Sequence, residues 1–298
     1  MGTERVSERY AGLDSWEPGE ILEALIEGQF AAVAAVRAAR SSIEAAALGI
    51  EARLRRGGRL CYAGAGTSGR LAVQDGAELT PTFSWPRERL LLLLAGGEDA
   101  LINAVEGAED DAGQARDIVR QHRIGADDVL VAVAASGTTK FTLACLREAK
   151  ARGALAIGIA NNPETPLLME ADHAICLETG PEAIAGSTRM KAGTAQKIAL
   201  NLLSSLVMIR LGRVYDGLMV DVQAVNAKLV TRSENMLIHL TDCSRAEARA
   251  ALDHAEGSVK LALLLLHGAG PQEAKNLLTR SGGKLRQALA LLEEGKPG

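Results

Sequence analysis

Hydrophobic positions along the chain follow two different periods, and the change from one to the other divides it. From Pro18 to about Arg56, Ile21, Leu22, Leu25, Ile26, Phe30, Val33, Val36, Ile43 and Leu48 recur at roughly helical intervals. That spacing predicts two helices with a break near Ser41-Ser42. Pro18 suits a first turn, where its missing N–H costs no hydrogen bond, and Gly57-Gly58 ends the pattern. Residues 1–17 are polar and irregular. Five short apolar runs follow, at 60–63, 90–95, 129–134, 154–160 and 174–177. Each is too short for a buried helix, and helical stretches separate them, including one over 101–111. This alternation predicts right-handed crossovers and an α/β fold, a five-stranded parallel sheet covered on both faces by helices. Two longer helical patterns, 191–211 and 216–240, are expected to pack on that sheet. From Asp242 the texture changes. Ser244-Arg245-Ala246-Glu247 is a capping box, and breaks at Gly257, at 268–271 and at Gly282-Gly283 predict a small appended bundle of three short helices.

In a parallel sheet, ligands bind beyond the carboxyl ends of the strands, so the loops there decide the chemistry. The first is Gly64-Ala65-Gly66-Thr67-Ser68-Gly69-Arg70. Its glycines let the backbone turn tightly and approach a ligand. The helix that follows offers free N–H groups and the positive end of its dipole. The spacing also satisfies G-x-G-x-x-G, but a dinucleotide site wants an acid about 20 residues on to hold a ribose. The next apolar run ends too late for that role, in Ala95-Gly96-Gly97-Glu98. Thr67 and Ser68 set two adjacent hydroxyls in the loop, which suits a phosphate monoester. A second hydroxyl-rich loop, Ala135-Ser136-Gly137-Thr138-Thr139, again precedes a helix. Ser136 and Thr138 could simply cap that helix. Two such loops at neighbouring strand ends point instead to a phosphate cradled between Gly66, Thr67 and Ser68 on one side and Ser136, Gly137, Thr138 and Thr139 on the other.

Composition narrows the partners. The 298 residues are enough for one large domain, or one plus a small one. A net charge of −4 gives no electrostatic case for nucleic acid or an anionic membrane. Cys61, Cys145, Cys176 and Cys243 are scattered without metal-ligand spacing. Thiols in apolar runs suit a reducing cytoplasm. No signal peptide opens the sequence, and no apolar run reaches the ~18 residues of a membrane span. The expectation is a cytoplasmic protein with no metal, no nucleic acid and no membrane among its partners.

Taken together, several blocks resemble the N-acetylmuramic acid 6-phosphate etherases, which are sugar-isomerase-type (SIS) domain proteins. They are Gly64-Ala65-Gly66-Thr67-Ser68-Gly69-Arg70-Leu71, Glu78 with Pro81-Thr82-Phe83, and Ala104-Val105-Glu106-Gly107-Ala108-Glu109-Asp110. The resemblance continues through residues 186–197 and Met219-Val220-Asp221-Val222, and Thr3-Glu4 resembles the family's start. It covers nearly the whole chain. It implies an SIS domain with N-terminal helices over residues 1–240 and a helical bundle like a ubiquitin-associated fold over 241–298. It also implies cleavage of the D-lactyl ether at C3 of N-acetylmuramic acid 6-phosphate, giving N-acetylglucosamine 6-phosphate and D-lactate, with no cofactor. The family's two acid/base glutamates fall on Glu78, as acid to the lactate oxygen, and Glu109, as base. The chemistry needs such a pair. The C2 proton of the open-chain sugar neighbours an aldehyde, so a base can remove it while an acid helps lactate leave, and water then adds back. Asp75, Glu106 and Asp110 are read as helix-surface acids.

The resemblance has gaps. The third strand-end loop of the family usually reads Ala-Ser-Gly-Arg-Thr-Pro-Tyr, whereas here Thr138-Thr139-Lys140-Phe141 follows Ala135-Ser136-Gly137, and Lys140 could return the missing positive charge. Two other readings stay open from the residues: a non-catalytic sugar-phosphate regulator, and an aldose–ketose phosphate isomerase. The second needs one base and no leaving-group acid. If one straight helix carries both Ser68 and Glu78, the ten-residue step from one to the other spans ~15 Å, while the reacting carbons of a hexose 6-phosphate lie about half that from phosphorus. Either that helix ends early, or Glu78 serves a sugar held by a second subunit, which predicts a homodimer with shared active sites.

Overall fold

The computed structural model describes residues 2–222 and 227–295. Helices α1 (Pro18–Ala38) and α2 (Arg40–Arg55) come first, broken at Ala39, two residues before the expected place. Then strands and helices alternate: β1 (Leu60–Gly64), α3 (Gly66–Phe83), β2 (Leu90–Leu94), α4 (Ala112–Gln121), β3 (Val129–Val133), α5 (Lys140–Ala151), β4 (Leu155–Ala160), α6 (Pro166–Glu170), β5 (His173–Cys176) and α7 (Lys191–Arg210). The five strands form one parallel sheet in the order β2-β1-β3-β4-β5. The central strands β1 and β3 are buried at every position, which is why they read as unbroken apolar runs. The edge strands β2 and β5 are only half covered.

One face of the sheet carries Cys61, Ala63, Leu130, Ala132 and Ala156 against Val119 of α4, Phe141, Cys145 and Leu146 of α5 and Leu167 of α6. On the other face α2 packs against β3, β4 and β5. That face also holds a buried polar node. The Asp75 carboxylate accepts from the Tyr62 hydroxyl at 2.8 Å, from Asn201 Nδ2 at 2.6 Å and from the Ser204 hydroxyl at 3.0 Å. Burial and then the neighbouring Asp75 push the Tyr62 phenol well above its ordinary pKa, so it remains a donor. Each buried donor left unpaired costs ~1–3 kcal/mol, so this node fixes α3 against β1 and α7. Asp75 is therefore an interior group and not the helix-surface acid expected from its sequence neighbourhood.

By contacts the chain divides into two compact units, Met1–Ala77 with Arg87–Leu206, and Glu78–Pro86 with Val207–Gly298. In the second unit a two-strand antiparallel hairpin, β6 (Val214–Tyr215) and β7 (Leu218–Met219), precedes α8 (Ala227–Thr241). Four short helices follow: α9 (Arg245–His254), α10 (Val259–Leu266), α11 (Pro271–Arg280) and α12 (Leu285–Glu294). The Ser244–Glu247 capping box forms as expected at the start of α9. The break at Gly282-Gly283 opens a fourth helix where three were expected.

Two further expectations change. The stretch 101–111 is not a helix but a loop with short 3-10 turns at Glu98–Leu101 and Ala108–Asp110. The pattern 216–240 is a hairpin and then a later helix; residues 223–226 of it lie outside the described residues. That helix, α8, packs its Met236 and Leu237 into the core of the second unit and not on the sheet. Finally, α7 is long and apolar enough, by length and composition, to cross a membrane. It is a core helix here, with Ala192, Ala195, Ala199, Leu200 and Leu203 buried inside the protein.

Candidate functional site

The two hydroxyl-rich loops leave β1 and β3, which are neighbours in the sheet, at their carboxyl ends. The first turns tightly because two glycine backbones touch: a Cβ on Gly64 would lie 2.7 Å from Cα of Gly69. The Gly69 N–H donates to the Ala65 carbonyl at 3.0 Å. Helix α3 therefore begins at Gly66, directly off the strand, and its first N–H groups face the space beyond the sheet. Ser68 is buried at this helix start and Thr67 half-buried. In the second loop Gly137 has φ +69, and a Cβ there would collide with the Thr165 side chain, so no other residue fits without rebuilding the turn. Ser136 Oγ accepts from the Thr138 N–H at 3.2 Å and lies 3.4 Å from Thr139 Oγ1. Thr139 stands at the N-cap of α5 without a side-chain cap bond. These hydroxyls shape their own loop and do not close the helix.

Between the loops lies a cleft of about 560 Å³. Gly66, Thr67, Ser68, Ser136, Thr138 and Thr139 line it, and Gly137 sets the turn behind them. Glu109 and Asp110 also line it. Both come from the 3-10 turn Ala108–Asp110, in the loop after β2. Arg70 pins that loop: its Nε donates to the Ala100 carbonyl at 2.8 Å and its Nη2 to the Asn103 carbonyl at 2.9 Å. A helix dipole end, several hydroxyl donors and an exposed carboxylate thus meet in one place. The donors can hold a phosphate dianion and the carboxylate can exchange a proton with what the phosphate carries.

Asp110 is a second correction to the helix-surface reading, because it reaches the cleft and pairs with Lys140 Nζ at 3.0 Å. Lys140 lines the cleft too, so the loop lacking the family's usual Arg does bring a cation there. Residues given no role from periodicity also line the cleft, namely Glu4, Gly186 and Thr188. Glu4 arrives because the Thr3 N–H donates to Asn162 Oδ1 at 3.1 Å, while Asn162 Nδ2 donates to the Thr3 hydroxyl at 2.8 Å and to the Ala135 carbonyl at 2.9 Å. Thr188 is held at the start of α7, where its carbonyl accepts from the Gly193 N–H at 2.8 Å. Buried Glu182 caps the same helix, accepting from the Lys191 and Ala192 N–H groups at 3.2 and 2.9 Å. Burial raises the Glu182 carboxyl and lowers the Lys191 ammonium. The only sequence signal for Glu4 and for 186–188 was their place in the blocks matching the family.

Glu78 is placed differently. It is exposed on the later turns of α3, in the second unit, and is not among the residues lining the cleft. The helix does not end before it, but runs to Phe83.

Residues 111–206 match the SIS domain, and residues 43–150 match the N-terminal SIS domain of glucokinase regulatory protein. An N-acetylmuramic acid 6-phosphate etherase from Deinococcus radiodurans is 54% identical over 96% of this chain and 94% of its own length. Those from Edwardsiella ictaluri and Streptomyces avermitilis are 43% identical over 97% of both chains, and 44% identical over 97% of this chain and 94% of the relative. With identity of this size along almost its full length, the chain belongs to the N-acetylmuramic acid 6-phosphate etherase family.

Proposed function

We propose that this protein is a carbon–oxygen lyase that cleaves the D-lactyl ether of N-acetylmuramic acid 6-phosphate, in the recycling of cell-wall amino sugar. The observation that carries the reading is the meeting of Ser68, Ser136 and Glu109 in one cleft. The two loops bind the 6-phosphate. Glu109 removes the C2 proton of the open-chain sugar, and the electron pair moves to form the C2–C3 double bond as the C3–O bond breaks. Glu78 gives its proton to the departing lactate oxygen. Water then adds to C3, losing a proton to Glu78, while C2 regains one from Glu109. The ether's poor leaving group is thus handled by elimination and not by displacement.

In this reading Glu78 acts on sugar bound by a second copy of the chain, since α3 continues past it. The N-terminal helix supports such a partner. Leu22, Ile26, Phe30 and Val33 follow one another at helical spacing, yet they are 60, 50, 71 and 54% exposed. An isologous dimer would cover this stripe and create two equivalent sites. A cytoplasmic location fits the cysteines, of which Cys61 and Cys145 are buried free thiols.

Ser68→Ala and Ser136→Ala should each weaken binding of a hexose 6-phosphate by roughly tenfold or more, since each removes a donor to a dianion. Titration with N-acetylglucosamine 6-phosphate measures this directly. Removing the phosphate from the substrate should cost more than either substitution. Equal turnover of unphosphorylated N-acetylmuramic acid would rule out this role for the loops.

A further inference from the structure

The segment carrying Glu78 belongs to the same compact unit as the C-terminal bundle, and a chain of charged groups joins them. The last turn of any helix leaves carbonyls without intrahelical donors. At the end of α3 the carbonyls of Phe83 and Ser84 both accept from Arg213 Nη1, at 2.7 and 3.1 Å. A cation is favoured there by the helix dipole. The same guanidinium lies over the Trp85 ring, 5.3 Å from its centroid, and Trp85 is 1% exposed. The chain doubles back at this point: the Trp85 N–H donates to the Leu79 carbonyl at 3.3 Å, and the Thr80 hydroxyl donates to the Trp85 carbonyl at 3.0 Å. Leu79, whose carbonyl takes that bond, is the residue next to Glu78.

Arg213 does not stand alone. Its Nη1 is 3.4 Å from Asp221 Oδ2, and Asp221 Oδ1 is 2.8 Å from Lys260 Nζ, on α10 of the bundle. Lys260 also donates to the Gly283 carbonyl at 2.8 Å, at the turn before α12, and is itself buried. A buried ion pair is weak evidence for stability, because desolvation offsets most of the attraction and an apolar pair of the same size often does as well. What such a pair supplies is a fixed geometry, and here the geometry it fixes is the end of α3. We propose that Lys260, acting through Asp221 and Arg213, is a positioning residue for Glu78, so that the C-terminal bundle is a clamp on the helix end that delivers the acid.

The proposal rests on Glu78 being the acid, and its test separates the two. Lys260→Met, Lys260→Arg and Arg213→Lys are made in the full chain beside Glu78→Gln. Lactate release and wash-in of deuterium at C2 are both followed. Lys260→Met should lower kcat for lactate release by ~10–100-fold, the scale of a small misplacement of a catalytic group, with KM within about twofold. Deuterium exchange at C2, which depends on Glu109, should fall much less, and Lys260→Arg should recover part of the loss. Amide exchange in the segment 79–86 should quicken in Lys260→Met. Should that variant fail to fold, Arg213→Lys carries the same expectation, since it keeps the charge but has a shorter reach to the Phe83 and Ser84 carbonyls and loses the planar group over Trp85. If exchange and lactate release fall together, or if kcat is unchanged while Glu78→Gln is inactive, the clamp is refuted and the acid stands. If Glu78→Gln releases lactate at the native rate, the acid assignment fails and takes the clamp with it.

Discussion

Glu109→Gln and Glu78→Gln are each expected to fold normally and to lose ~10²–10⁴-fold in the rate of lactate release. Each keeps the shape of the side chain and removes its ability to exchange a proton, and general acid–base groups are typically worth that factor. The two losses should differ in kind. Without the base at Glu109, exchange of the C2 proton with deuterated water should vanish along with lactate release. Without the acid at Glu78, some exchange should persist, because the C2 proton can leave and return while lactate stays attached. Matched melting temperatures would show that both variants are folded. If both released lactate at near-native rates, the pair of roles would be wrong. If only Glu109→Gln were impaired, the chemistry would be that of a single base, as in an isomerase.

Subunit mixing should give the second large effect, from nearly no activity to a measurable fraction of native. A Glu78→Gln chain and a chain with both Ser68→Ala and Ser136→Ala are each expected to be inactive or nearly so. In a heterodimer, one of the two sites would combine an intact phosphate cleft from the first chain with an intact Glu78 from the second. Random mixing makes about half of the dimers mixed, so about a quarter of native activity should return. Failure to complement in a verified heterodimer, or full activity in a monomer, would show that each chain supplies its own acid.

Where the sequence was legible, the reason is burial. The runs at 60–64 and 129–133 are covered on both faces of the sheet, and nothing but an unbroken apolar strand survives there. The hydroxyl loops were legible because their glycines answer local demands: the Gly64–Gly69 contact and the φ of Gly137. The stretch 101–111 misled because its apolar residues have helical spacing but no core to face. Leu101, Ile102 and Val105 remain exposed, and the loop is held from a distance by Arg70. At 216–240 a local signal was present and outweighed: Asp216-Gly217 between Tyr215 and Leu218 is a hairpin dipeptide, and both residues have positive φ. Asp75 could not be placed from sequence, because its partners Asn201 and Ser204 are more than a hundred positions away. The same applies to Glu4, brought to the cleft through Asn162.

The family resemblance named both glutamates, yet the fold treats them unequally. Glu109 shares a cleft with the two hydroxyl-rich loops, and Glu78 sits on a helix whose end is tied to Arg213, Asp221 and Lys260. An SIS sheet alone would explain sugar-phosphate binding, as in a regulator. In the proposed mechanism a second carboxylate, Glu78, is what would turn binding into ether cleavage.

Incubation of the purified protein with N-acetylmuramic acid 6-phosphate, with D-lactate assayed over time, tests that reading most directly. The account predicts stoichiometric D-lactate and N-acetylglucosamine 6-phosphate, without added metal or cofactor. Binding of the sugar phosphate with no D-lactate released, at protein concentrations that saturate the substrate, would contradict it and leave a sugar-phosphate-binding protein in its place.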